Sequence, residues 1–113
     1  MPEEKGTDAD LLGRVATLTD ILAYQEGAVV SRTIIGKKVG TVTLFAFAAG
    51  EGLSEHTAPY DALVYAADGE VEATIAGARH DLHKGEMIIM PAGKPHALRA
   101  LTPFKMLLVM IRA

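Results

Sequence analysis

Two of the four histidines in this 113-residue chain stand where turns meet strands. His56 lies in Gly50-Glu51-Gly52-Leu53-Ser54-Glu55-His56-Thr57-Ala58-Pro59-Tyr60-Asp61-Ala62, a stretch that closes at Gly69. His96 ends Gly85-Glu86-Met87-Ile88-Ile89-Met90-Pro91-Ala92-Gly93-Lys94-Pro95-His96. A neutral imidazole ligates Zn, Ni, Mn or Fe, and in an apolar pocket it can also move a proton near neutral pH. Two imidazoles alone hold a divalent ion weakly, because protein sites usually supply three or four ligands. Water, a substrate, Asp61 or Tyr60 could complete such a shell, with Pro59 as a bulge that re-aims Asp61. Tyr60 also has the apolar body and polar tip of a pocket-lining residue. The other two histidines, His80 and His83, flank Asp81-Leu82 in a strand-like stretch, where positions three apart face opposite ways. Surface histidines beside a turn are the expected reading for them.

The elements that must carry these residues read as β. Residues 1–27 are expected as a flexible N-terminus and a short helical segment: MPEEKGTDAD frays, and Leu11 to Tyr24 has weak helical character. Thr19 or Asp20 would cap a short turn through Ile21, Leu22 and Ala23. Residues 28–113 form the folded body. Strands are expected over Ala28–Ile35, Thr41–Ala49, Ala62–Ala67, Glu70–Ala76, Arg79–His83, Met87–Met90, Ala97–Leu101 and Phe104–Arg112, with turns at Gly36-Lys37-Lys38, Gly77, Lys84-Gly85 and Thr102-Pro103. Asp68-Gly69 reads as a two-residue hairpin. About eight short strands with turns every 6–12 residues and no separating helix predict an all-β sandwich or barrel.

Leu44–Ala48, Ala62–Ala67 and Met106–Ile111 are apolar on both faces. A small barrel buries one face of each strand and wets the other, so a second cover is needed. A two-fold partner supplies it most simply, and a homodimer is expected; the Leu11–Tyr24 segment is the competing cover. Met87, Met90, Met106 and Met110 belong to core strands. An interior lined by Phe45, Phe47, Met90 and some of Met106, Leu108 and Met110, with His56 and His96 at one end, suits a small, mostly apolar ligand with one polar handle.

Composition narrows the classes. Half the residues are apolar and 22% are charged, as in ordinary globular domains, and the length allows one core. Net charge is −3 without a basic patch, which argues against nucleic acid. There is no cysteine, so no disulfide and no thiolate metal site. No secretory signal opens the chain, and no apolar run approaches the roughly 20 residues that span a bilayer. A soluble cytoplasmic protein without a membrane partner is the expectation.

The two histidine stretches together resemble the paired motifs of the cupin family, small antiparallel barrels that often hold a metal. The first family motif is commonly written G-x5-H-x-H-x3-E-x6-G; Gly50, His56 and Gly69 match, whereas Ala58 and Ala62 stand at the second histidine and the glutamate. The second is written G-x5-P-x-G-x2-H-x3-N; Gly85, Pro91, Gly93 and His96 match, and Ala100 takes the last position. The resemblance covers about residues 28–112 and implies an RmlC-like jelly-roll barrel. In metal-binding relatives the ligands converge inside the barrel, and strand alternation would put positions 56, 58 and 62 on one face. The matched glycines and prolines carry fold, since they set φ at turns. The resemblance implies His56 and His96 as candidate metal ligands, and a dioxygenase or isomerase type of enzyme as one reading. The absent carboxylate weighs against a two-histidine, one-carboxylate Fe²⁺ site. The leading expectation is a small-molecule binding module whose pocket includes His56, Tyr60, His96, Phe47 and Met90.

Overall fold

A computed structural model of the chain describes residues 6–112. Among these residues nine strands build two antiparallel sheets: β1 Val29–Lys37, β2 Gly40–Phe47, β3 Gly52–His56, β4 Ala62–Asp68, β5 Glu70–Ile75, β6 Ala78–His83, β7 Met87–Met90, β8 His96–Ala100 and β9 Phe104–Ile111. The five-stranded sheet runs β1-β2-β9-β4-β7 and the four-stranded sheet β3-β8-β5-β6. All eight strands expected from the pattern are present within a few residues of the expected bounds. The ninth, β3, was hidden because its sequence Gly-Leu-Ser-Glu-His is mostly exposed and carries one apolar residue.

Inward positions alternate as the pleat requires. Phe47, Phe104, Met106, Val64 and Val71 have no exposed surface, and Phe47 meets Phe104 with ring centroids 5.6 Å apart. Each such side chain contributes roughly 1.5–3 kcal/mol by leaving water. Ala66 pairs with Met106, and Val71 with Ala100, so large and small residues sit side by side on neighbouring strands.

The Asp68-Gly69 step is not a hairpin. β4 pairs with β7 and β9, whereas β5 pairs with β6 and β8, so this step carries the chain from one sheet to the other. Gly69 takes φ +76°, and a Cβ there would lie 1.9 Å from the Pro103 carbonyl oxygen. Crossing demands a close backbone approach that only glycine allows. The two-residue hairpin is Ala76-Gly77, between β5 and β6, with φ +50° and +85° as a type I′ turn needs. Likewise β1 and β2 are joined at Lys38-Val39, while Gly36 continues the strand opposite Thr41.

The helical segment is reduced to two single 3₁₀ turns, Ala9–Leu11 and Leu18–Asp20. Thr17, not Thr19 or Asp20, precedes the second, and it makes no side-chain cap bond. The stretch from Asp8 to Tyr24 lies on the outer face of the larger sheet. Arg32 Nε donates to Asp8 Oδ2 at 2.7 Å, Lys105 Nζ to the Thr19 carbonyl at 2.6 Å, and the Tyr24 hydroxyl to Asp68 Oδ2 at 2.5 Å. Burial and the Asp68 carboxylate both push the Tyr24 phenol well above its ordinary pKa. This segment covers part of the sheet's outer face, where Leu44 and Ala46 have no exposed surface. Tyr65, Met87, Ile89 and Ile111 remain exposed beyond it. The fraying expected for residues 1–10 falls partly outside the described residues.

Candidate functional site

His56 ends β3 and His96 begins β8, and the register places them directly opposite each other. That pairing needs β3 close to β8. A Cβ on Gly52 would sit 2.1 Å from the Leu98 carbonyl oxygen, so glycine there permits the approach. A bulge between Leu53 and His56 then rotates the histidine toward its partner. The loops beyond the two strands are tied together: Ala92 N–H donates to Asp61 Oδ1 at 2.8 Å, and Gly93 N–H to the Ala58 carbonyl at 2.8 Å.

The two imidazoles meet edge to face with centroids 4.4 Å apart and Nε2 atoms 3.1 Å apart. His56 Nδ1 faces the Ser54 carbonyl at 2.8 Å, and His96 Nδ1 faces the Lys94 carbonyl at 3.2 Å. A carbonyl oxygen only accepts, so each Nδ1 must carry a proton. The Nε2···Nε2 contact needs a third proton, and two neutral imidazoles hold only two. The pair is therefore complete either with one added proton or with a cation between the two lone pairs. His96 is 3% exposed, while His56 lies at the surface. Burial, then the charge on His56, holds the His96 pKa below its ordinary value against the opposing pull of the Lys94 carbonyl. Burial thus favours the neutral form of His96, whose Nε2 can accept from its partner ring.

Beneath the pair lies a cavity of about 40 Å³ between the sheets, lined by Leu53, His56, Ala58, Ala62, Met90, His96, Leu98, Met106, Leu108 and Met110. The structure thus brings together His56, His96 and Met90 of the pocket residues named from sequence. Phe47 has no exposed surface and packs in the core rather than on this cavity. Tyr60 and Asp61 line a separate groove of about 450 Å³ on the outer face of the larger sheet, with Pro59, Leu63, Ile89 and Ile111. Asp61 is occupied as a turn-capping acceptor and does not join the histidines. Positions 56, 58 and 62 do not share one strand, because β3 ends at His56 and β4 starts at Ala62. The intervening loop nevertheless returns Ala58 and Ala62 to the same cavity. Leu53 and Leu98 were not anticipated as lining; the opposed register of β3 and β8, invisible in sequence, sets them there. His80 and His83 sit on opposite faces of β6, and the exposed His83 contacts Glu86 at 3.2 Å.

A divalent ion of the kind held by three histidines and a glutamate does not fit these residues. Ala58 and Ala62 offer no donor atom, and no group of three or more His, Cys, Asp or Glu able to hold a metal occurs among the described residues. No helix among the described residues is long and apolar enough to cross a membrane.

The comparisons agree with the geometry. Residues 43–111 match the family model described as "Cupin domain". A solved conserved protein of unknown function from Streptococcus pyogenes is 31% identical, with 100% of this chain and 96% of that chain covered and a TM-score of 0.87. A cupin superfamily protein from Desulfitobacterium hafniense is 27% identical over 99% of this chain and 100% of its own, at a TM-score of 0.86. A Cupin 2 conserved barrel domain protein from Leptotrichia buccalis is 39% identical over 81% of this chain and 45% of its own, at a TM-score of 0.78. No curated protein matches the chain.

Proposed function

We propose a small-molecule binding role for this chain, which belongs to the cupin family. The guest enters the barrel, with His56 and His96 as the polar end of its pocket. One observation carries the reading: the paired imidazoles of His56 and His96 cap a cavity whose other walls are alanine, leucine and methionine. Such a site suits a ligand with an apolar body and one polar group, a carboxylate or carbonyl, directed at the imidazole pair. At about 40 Å³ the cavity has room for about three waters at 10–15 Å³ each, so the guest is short, or the flexible side chains of Met90, Met106 and Met110 swing aside for it. The alternative, a metal-dependent enzyme of dioxygenase or isomerase type using His56 and His96 with water or Asp61 completing the metal shell, has less support because Asp61 caps the Ala92 turn and Ala58 and Ala62 offer no donor.

Thermal-shift screening of short aliphatic and aromatic carboxylates against neutral and charged sugars tests the reading. A carboxylate at 100 times its Kd stabilises the fold by about 2.7 kcal/mol, and His96→Leu removes that gain. Binding confined to highly charged sugars, or shifts equal in His96→Leu, would overturn it.

The same reading includes a homodimer. Its support is the apolar outer surface around the unpaired edge strand β7, where Tyr65, Met87, Ile89 and Ile111 are exposed. Light scattering on the eluting protein should give twice the chain mass, reduced to one by Ile89→Lys; a monomeric parent would refute this. A cytoplasmic location fits a chain with no cysteine.

A further inference from the structure

The position that would carry a carboxylate in the family motif is flanked instead by two thioethers. Ala62 pairs with Met90 on β7 and with Met110 on β9. Directly opposed residues share a face with Cβ atoms about 4.5–5.5 Å apart, and both methionines line the cavity that His56 and His96 cap. The hard donor is gone and soft donors surround its place.

The nitrogen side is prepared for a cation. Both Nδ1 atoms are committed to backbone carbonyls, so both Nε2 lone pairs converge at 3.1 Å. Two imidazoles bound to one ion at about 2.0–2.1 Å and separated by this distance subtend roughly 100°, an ordinary angle in a four-coordinate site. Charge decides which ion. Imidazole and thioether are neutral, so the ion keeps its full charge in an apolar cavity, where desolvation penalises a divalent ion far more than a monovalent one. Thioether and imidazole donors together also select a soft metal.

We propose that this cavity is a Cu(I) site, with Nε2 of His56 and His96 and the thioether sulfur of Met90 or Met110 as ligands. The inference rests on the lumen pocket of the proposed function but not on its organic guest. Cu(I) takes the place of the third proton, and the exterior Met87, 49% exposed, takes no part.

The test uses the full chain, purified metal-free and handled anaerobically, with Cu(I) competed against bicinchoninate. The expected result is one Cu(I) per chain, with Zn²⁺ at least 100-fold weaker. Met90→Leu/Met110→Leu, a volume-conserving change that leaves the fold intact, lowers Cu(I) affinity at least 10-fold, whereas Met87→Leu leaves it unchanged. Cu(I) affinity equal to the parent in the double variant, or Zn²⁺ bound as tightly as Cu(I), overturns the proposal. Carboxylate thermal shifts in metal-free protein separate the two readings, because they need His96 and not the methionine sulfurs.

Discussion

Restoring the two missing ligands should convert this barrel into a divalent-metal protein at a measurable cost. In Ala58→His/Ala62→Glu the new side chains enter a space that both alanines line. Ala62 is 1% exposed, and the cavity is about 40 Å³, so the glutamate must displace the side chains of its cross-strand neighbours Met90 and Met110. Overpacking of this kind costs about 1–3 kcal/mol. The carboxyl group adds a desolvation penalty that its rising pKa only partly relieves. Together the metal-free variant should lose about 3–5 kcal/mol. Zn²⁺ at 1,000 times its Kd should return about 4 kcal/mol, which the parent does not gain. Urea denaturation with and without Zn²⁺, with metal content measured on the same samples, reads both effects. Lys38→Glu, at an exposed position in the turn between β1 and β2, serves as the control and stays within about 0.5 kcal/mol of the parent. A double variant as stable as the parent and devoid of metal would show that positions 58 and 62 do not face the lumen.

Two further outcomes follow from the same geometry. The folded, metal-free protein takes up the His96 proton less readily than the unfolded chain, so the histidine's contribution is present above pH 6.5 and lost as pH falls below 6.5 toward the depressed folded value; the urea midpoint should fall between pH 7.5 and 5.5, and His96→Gln should flatten that slope, whereas an equal slope in the variant would contradict it. Gly69→Ala forces a Cβ against the Pro103 carbonyl at positive φ and should cost about 2–4 kcal/mol by denaturant titration, with a loss below about 1 kcal/mol counting against the tight sheet crossing.

Much of this architecture was legible because Gly, Pro and period-two apolar patterns are local signals. Eight strands, the alternation of Val71, Ala73 and Ile75, and the opposite faces of His80 and His83 could all be read that way. What sequence did not carry was pairing. Asp68-Gly69 has the residues of a hairpin turn, yet which strand accepts β5 depends on β8, some 25 residues onward in the chain. β3 escaped notice because an exposed, polar strand lacks the apolar alternation that marks one. The site was half legible. His56 and His96 were found from motif spacing, and their contact through Nε2 follows from register and a bulge. Tyr60 reads as a pocket residue from its apolar body and polar tip, and Asp61 as a shell-completing ligand beside the missing glutamate position, but the loop turns both to the outer groove while returning Ala58 and Ala62 inward.

The state of the two imidazoles is observed directly in long-range ¹H–¹⁵N spectra of the ¹⁵N-labelled, metal-free chain. The expected spectrum shows Nδ1–H on both His56 and His96, one proton shared between their Nε2 atoms, and movement of both rings when a short carboxylate saturates the protein. Separate Nε2–H tautomers with free Nδ1 atoms, unmoved at saturation, would contradict the paired histidines as the polar end of the pocket.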